Sequence, residues 1–279
     1  MIIWLASYPK SGNTWVRSLL SAYYYSEDGN FDFKLLDKIK QFPSKDFFNK
    51  EIKSVDEAAE NWLTAQSKIK AKNEVCFLKT HNVFGAYKGK NFTTSEFSLG
   101  AIYIVRDPRN VITSLRNHYE LDYTKALEWM LNSKKYIYDY DKFEEYSDFQ
   151  FISSWENNYK SWKSQKEFPL MIVKYEDLLN KTYSVFTDII EFINHTTNNS
   201  QKINKLKIKN SVSSTSFQKL RDSEVKHGFS ESIKSRNENK QIPFFFLGPK
   251  NNWEKILNED LKKKLNRVFE KNLVDLGYI

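Results

Sequence analysis

The first seventeen residues leave little freedom in how this chain folds. Ile2 to Ala6 is a short, wholly apolar run that reads as a buried strand. A tight polar loop, Ser7-Tyr8-Pro9-Lys10-Ser11-Gly12-Asn13, follows at once. Thr14 then opens an amphipathic helix running through Val16, Leu19 and Leu20 to about Tyr24. A strand, a loop and a helix N-terminus in that order form an anion-binding device. The loop and first-turn N–H groups converge on one spot, and the helix dipole adds positive potential there. Lys10, Ser11, Asn13 and Thr14 add side-chain donors. The pattern is not the usual phosphate loop, in which Gly-Lys-Ser/Thr carries the lysine into the helix. Here Lys10 precedes Gly12, so it sits on the loop and can reach over a ligand. An ordinary ATP or GTP enzyme is disfavoured.

Further strand-like runs occur at Val75–Leu78, Ala101–Val105 and Leu170–Val173. Helix-like periodicity marks Val55–Ile69, Pro108–Tyr119, Tyr123–Leu131, Phe151–Trp162, Tyr183–Ile193 and Glu259–Leu276. Strands alternating with helices predict an α/β fold with a central parallel sheet flanked by helices on both faces. Ligands of such sheets bind at the carboxyl ends of the strands, where the Ser7–Asn13 loop lies. No repeat or linker divides the sequence, so residues 1–279 are read as a single domain. Asn194–Lys209 reads as a surface insertion or loosely held helix, and His227–Gln241 as a polar, mobile loop.

Hydrophobic residues make up 40% of the 279 and aromatic residues 16%, enough for a sizeable core and too many for a disordered chain. The one cysteine, Cys76, allows no intrachain disulfide, which suits a reducing, cytoplasmic setting. The opening apolar run is too short for a signal peptide and lacks a basic leader. No run of about 18 apolar residues predicts a membrane span. The net charge is +8, but the lysines are spread out, with modest runs such as Lys262-Lys263-Lys264. A solvated surface and a basic cleft for a multiply charged nucleotide account for the excess, and no nucleic acid partner is expected.

Two more stations lie at strand ends. Val75–Leu78 runs into Lys79-Thr80-His81, whose side chains would share the crevice with the first loop. Histidine titrates near neutrality and can take a proton from an attacking hydroxyl, and Lys79 can neutralise charge on a transferred group. Ala101–Val105 runs into Arg106-Asp107-Pro108, and Ser114 falls two turns into the next helix. Arginine offers a planar fork for a phosphate, although an Arg–Asp turn can also merely cap the helix. Trp15 has two readings, an adenine stack or a core residue.

Taken together these stations resemble the sulfotransferases, which use 3′-phosphoadenosine-5′-phosphosulfate (PAPS). Tyr8-Pro9-Lys10-Ser11-Gly12-Asn13-Thr14-Trp15 looks like their 5′-phosphosulfate loop. Lys79-Thr80-His81 resembles the Lys-Thr-His of the cytosolic enzymes, whose histidine is the catalytic base. Ile104-Val105-Arg106-Asp107-Pro108 with Ser114 matches the element that grips the 3′-phosphate. Lys174-Tyr175-Glu176-Asp177-Leu178 and Ser214-Thr215-Ser216-Phe217 resemble elements near the adenine, although Tyr175 is equally a residue packing a helix start. The resemblance implies a P-loop-like three-layer sandwich and in-line sulfuryl transfer. His81 would be the base, Lys10 would contact the bridging oxygen and Lys79 would support the equatorial oxygens. PAPS would be co-substrate and PAP (3′-phosphoadenosine-5′-phosphate) product. No metal is implied, and no His/Cys/Asp cluster has metal-ligand spacing.

One element departs from the family. Its late loop, Arg-Lys-Gly-x-x-Gly-Asp-Trp, corresponds here to Phe244-Phe245-Phe246-Leu247-Gly248-Pro249-Lys250-Asn251-Asn252-Trp253. Gly248 and Trp253 persist, while Phe246-Leu247 replaces the Arg-Lys pair. Two charged donors are lost, each worth roughly 1.5–3 kcal/mol on a buried phosphate. Lys250, Lys240 and Arg236 are candidate substitutes. Two rival functions stay open, a nucleotide kinase of related fold and a non-catalytic nucleotide-binding protein. The acceptor can be a small molecule, a glycan or a lipid. Phe84, Tyr87, Tyr138, Tyr140 and Phe143 are candidate pocket aromatics or core. The sequence does not reveal the oligomeric state.

Overall fold

The computed structural model describes residues 1–235 and 241–279. Its centre is a sheet of four parallel strands: β1 (Ile2–Ser7), β2 (Cys76–Thr80), β3 (Ser98–Val105) and β4 (Leu170–Lys174), in the order β2-β1-β3-β4. Along β1 every residue is buried, because both faces of the sheet are covered. Ile2, Trp4 and Ala6 face one apolar layer with Ala101, Tyr103 and Val105. Ile3 and Leu5 face the other with Ile102 and Ile104. Alternation of side chains along each strand divides the core in this way.

The first layer is built by α2 (Val55–Ala71), α3 (Pro108–His118), α4 (Tyr123–Leu131), α5 (Trp155–Ser164) and α10 (Glu259–Asp275). The second is built by α1 (Asn13–Tyr25), α6 (Tyr175–Asn180), α7 (Thr182–Thr196) and α8 (Lys205–Ser214). Between α8 and the late loop runs α9 (Phe217–His227). The predicted α/β sandwich with a parallel sheet is therefore present.

Three local expectations change. Lys79 and Thr80 are inside β2 rather than after it, paired with Leu5 and Ala6. The helix expected from Phe151 begins at Trp155, because Ser153 turns the chain at φ 56° and the Ser154 Oγ caps the helix by accepting from the Asn157 N–H. Gln150–Phe151 instead pairs antiparallel with Tyr136–Ile137. The Asn194–Lys209 stretch is not only an insertion, since α8 starts in it and buries Ile208 against the second layer.

Trp4 locks the middle of β1. It is fully buried, donates its Nε1–H to the Ser98 Oγ at 2.8 Å, and packs against Phe42 and Phe92. Trp4→Ala should destabilise the chain by about 3–5 kcal/mol, from lost burial plus an unfilled cavity. Urea unfolding checks this, and a midpoint unchanged from wild type would remove Trp4 from this role.

Candidate active site

Strand register assembles the site. Ala6 pairs with Thr80 in the β1–β2 ladder, so one step on puts Ser7 beside His81. Val105 pairs with Lys174 in the β3–β4 ladder, so one step on puts Arg106 beside Tyr175. The chain leaves β1 for β2 on one side and returns to β3 on the other, making β1/β3 the switch point where open parallel sheets bind ligands. The loop after β1 crosses that point, and Arg106 Nη1 donates to the Lys10 carbonyl at 3.1 Å.

The loop is forced by its sequence. Lys10 has φ 66°, a left-handed conformation uncommon for a side-chain-bearing residue. Gly12 has φ 102° and heads α1. A Cβ there would meet the Tyr175 ring at 2.5 Å, so only glycine lets the loop pass. Its carbonyl accepts from the Trp15 and Val16 N–H groups. The first-turn N–H groups of Asn13 and Thr14 have no intrahelical acceptor.

Several side-chain donors end here without partners. Lys10 Nζ, Ser11 Oγ, Trp15 Nε1 and Arg106 Nε are buried and make no hydrogen bond to the described residues. The Lys10 ammonium lies 3.7 Å from the Phe244 ring centroid, and the Arg106 guanidinium 4.1 Å from that of Tyr175. Burial, reinforced by Lys79 and Arg106, lowers the Lys10 pKa to about 7. An unpaired buried ammonium is costly, and the arrangement fits an incoming polyanion.

His81 is fixed from several directions. Its Nδ1 lies 2.8 Å from the Ser7 carbonyl oxygen, which only an Nδ1–H can satisfy, so Nε2 carries the lone pair. Ser7 Oγ lies 3.2 Å from Nδ1 and accepts from Asn13 Nδ2 at 3.1 Å. The His81 backbone is pinned by Gln150 and Asn158. Burial, then the charge of Lys79, pulls its pKa down to about 3, so the imidazole is neutral near pH 7.

Asn13 was expected to donate to a ligand, but its Nδ2 is committed to the Leu5 carbonyl and Ser7 Oγ, where it steadies the His81 contact. Thr14 and Lys79 both bind the Glu231 carboxylate, at 2.9 and 3.1 Å. Trp15 meets Tyr175 edge-on at 5.8 Å. Ser114 is half-buried on α3 and makes no hydrogen bond through its side chain to the described residues. Thr215 is fully buried and its hydroxyl is spent on the Ser211 carbonyl, so it closes α8 rather than facing solvent. Ser216 caps α9 through its backbone position only. Phe217 and Gly248 meet: a Cβ on Gly248 would lie 2.3 Å from the Phe217 ring.

The late loop docks without its expected charges. Trp253 N–H donates to Asn110 Oδ1, Asn251 Nδ2 to the Asn110 carbonyl, and Thr113 Oγ1 to Asn251 Oδ1, all between 2.6 and 2.9 Å. Arg109 stacks 4.0 Å over Trp253, pairs with Asp107 and donates to Asn266 Oδ1. Two neutral residues on α3, Asn110 and Thr113, thus hold the loop. Lys250 is exposed, and Lys240 and Arg236 lie outside the described residues. Of the candidate pocket aromatics, Phe84 packs on Trp162 and Phe168, and Tyr87 on Phe149 and Phe151. Tyr138 and Tyr140 are exposed beside Tyr146.

Sequence reasoning missed Ser7, Arg17, His118 and Glu231. The Ser7 contact follows from register, which needs the strand pairing. His118 is buried at the end of α3, edge-on to Phe244 at 5.7 Å. Burial lowers its pKa, with the Lys10 charge adding to the effect. Its spacing from Ser114, one helical turn, was the available signal. Glu231 lies in the stretch read as a mobile loop, whose described part instead turns back into the site.

Residues 2–277 match the family model described as Sulfotransferase domain. Similar curated proteins include luciferin sulfotransferase of Photinus pyralis, 21% identical over 99% of this chain and 72% of that protein. Flavonol 3-sulfotransferase of Flaveria bidentis is 24% identical over 99% of this chain and 83% of its own length. Among solved structures, a mouse sulfotransferase complexed with PAP superposes with TM-score 0.62 at 15% identity, covering 99% of this chain and 86% of that one. Retinol dehydratase in complex with androsterone and PAP gives TM-score 0.60 at 14% identity, covering 98% and 80%.

The Lys10 pKa near 7 has a measurable consequence. A bound phosphate favours the ammonium and raises that pKa, so binding above pH 7 takes up a proton. PAP affinity should fall by up to about tenfold per pH unit between pH 7.5 and 9, and Lys10→Met should flatten the profile. Calorimetry in buffers of different ionisation enthalpy checks this; no proton uptake at pH 8.5 would contradict it.

Proposed function

The chain belongs to the sulfotransferase domain family, and we propose that its cradle takes PAPS and that its acceptor is a small hydroxylated or amino-bearing molecule. PAPS-dependent sulfuryl transfer is the activity of the family. The observation that carries this reading is the set of buried donors with no hydrogen-bond partner among the described residues, Lys10 Nζ, Ser11 Oγ and Arg106 Nε, gathered around a helix N-terminus. Buried polar groups are almost always paired, so these await an anion. PAPS, when bound, supplies an activated sulfuryl group on a good phosphate leaving group.

The protein's part is positioning and electrostatics. His81 Nε2 takes the acceptor proton while the acceptor oxygen or nitrogen bonds to sulfur. The bond from sulfur to the 5′-phosphate oxygen breaks, and the electron pair leaves on PAP. Lys10 offsets the charge developing on that oxygen, and Lys79 supports the sulfuryl oxygens. Arg106, with Ser114, reads the 3′-phosphate, while Gly12 lets Tyr175 pack under the loop. Trp15, Thr215, Ser216, Phe217 and Gly248 shape the adenine side, Thr215 by closing α8 rather than by direct contact. We assign residues 1–279 to one catalytic unit. A cytoplasmic setting is proposed from the single Cys76. No helix among the described residues is long and apolar enough to cross a membrane.

The acceptor side is read from His81, His118 and the Phe244 ring, which suit a molecule with an apolar body and one reacting hydroxyl. Relatives named for luciferin and flavonols are consistent with that class. The family match does not favour the kinase or the non-catalytic reading.

Calorimetric titration with PAP, AMP and ATP without added metal tests the proposal. A strong preference for PAP supports it, and equal binding of all three sinks it. His81→Ala should lower turnover by about 10²–10⁴-fold with PAP affinity retained. Intact turnover in that variant would remove His81 as base. Arg106→Ala should weaken PAP at least about tenfold more than AMP; matched losses would show that Arg106 does not read the 3′-phosphate.

A further inference from the structure

We propose that Arg17 is a further cationic contact for the 5′-phosphosulfate end of the donor, and that Glu231 holds its place in the donor-free chain. This rests on the sulfotransferase reading and deepens it.

The Glu231 carboxylate sits on three donors from two elements. Its Oε1 accepts from Arg17 Nη1 at 2.6 Å and from Lys79 Nζ at 3.1 Å. Its Oε2 accepts from Thr14 Oγ1 at 2.9 Å. Thr14 belongs to the loop that resembles the 5′-phosphosulfate loop and Lys79 is the proposed support of the sulfuryl oxygens, so an anion bonded to both overlaps the proposed donor position. Two carboxylate oxygens carrying one negative charge stand in for two oxygens of a phosphate or sulfuryl group.

Arg17 is aimed at this spot before any ligand arrives. It follows Thr14 by three residues and so lies on the same face of α1. Its Nε donates to the Ile39 carbonyl at 2.6 Å and its Nη2 to the Leu36 carbonyl at 2.8 Å. Two of its donors are therefore spent on backbone, and Nη1 is left pointing into the cradle. The guanidinium is buried. Burying a charge with such fixed geometry is favourable only against an anion, and the chain supplies that anion from a different segment.

That segment covers rather than builds the cradle. Glu231 follows α9, and its neighbour Ser232 is tied back to Glu224 through its hydroxyl. Glu224 also accepts from the Phe244 and Phe245 N–H groups, at 2.7 and 2.9 Å. Phe244 in turn lies over Lys10. One covering layer thus places a carboxylate on Arg17, Thr14 and Lys79 and an aromatic ring on Lys10. Burial alone would push the Glu231 carboxyl up, but Lys79 and Arg17 hold it well below the usual carboxylate range. Glu231 is therefore ionised and competes with the donor for the same groups. A competitor inside the chain lowers apparent donor affinity by the fraction of time it occupies the site.

The test is calorimetric binding of PAP and of adenosine 3′-phosphate, which lacks the 5′ group, to wild type and four variants. Glu231→Gln should tighten PAP by about tenfold and leave adenosine 3′-phosphate within about twofold. Arg17→Gln should weaken PAP by about tenfold or more, in the wild-type and in the Glu231→Gln background alike, with Arg17→Lys losing less. Unchanged or weaker PAP binding in Glu231→Gln overturns the competition. An Arg17→Gln effect that vanishes in the Glu231→Gln background overturns direct contact. Arg17→Lys and Glu231→Gln give the same decision if Arg17→Gln does not fold by circular dichroism. Wild-type preference for PAP over AMP is scored separately, so failure of the family reading is distinguishable.

Discussion

Buried positive charge is the constraint on which the rest of the structure depends. Arg17, Lys79 and Arg106 are each less than a tenth exposed, and the Lys10 ammonium is shut off from water. Removing these cations from solvent costs several kcal/mol each unless something offsets it. Backbone carbonyls of Lys10, Leu36 and Ile39 take some of their donors, the rings of Tyr175 and Phe244 cover two, and the Glu231 carboxylate bonds directly to Arg17 and Lys79. The loop between β1 and α1 is therefore poised for a stronger anion than the chain itself carries.

The sheet explains why this charge can be held in place. Parallel strands buried on both faces are stiff, and their register carries the stations to one edge. Ser7 reaches His81, and Arg106 reaches Tyr175, each one step beyond the last paired residues. A one-residue slip would send every strand side chain to the opposite face, so the packing of Trp4 and Leu5 on opposite layers also protects the alignment of the site.

The late loop shows how a site tolerates a changed motif. Phe246-Leu247 replaces the charged pair of the family pattern, yet the loop still closes on α3 through Asn110, Thr113 and Asn251. Neutral hydrogen bonds keep the loop docked, and among the described residues Lys10, Arg17, Lys79 and Arg106 bring buried positive charge to the site.

The strand–loop–helix, the parallel sheet and the order of the three stations were legible from local pattern alone. Glycine, proline and the apolar runs act over a few residues, and their preferences do not need the fold. Lys10, Lys79, His81 and Arg106 were visible for the same reason, as polar residues at strand ends. What only the tertiary structure decided is everything that depends on which distant segments meet. Glu231 lies 214 residues from Arg17 and 152 from Lys79, and Ser7 lies 74 from His81. Asn13 and Thr215 have the composition of ligand donors, but their partners, set by packing, lie within the chain itself: the Leu5 carbonyl and Ser7 hydroxyl, and the Ser211 carbonyl. Local propensity names the reactive groups; packing across the sheet decides which of them are left unpaired.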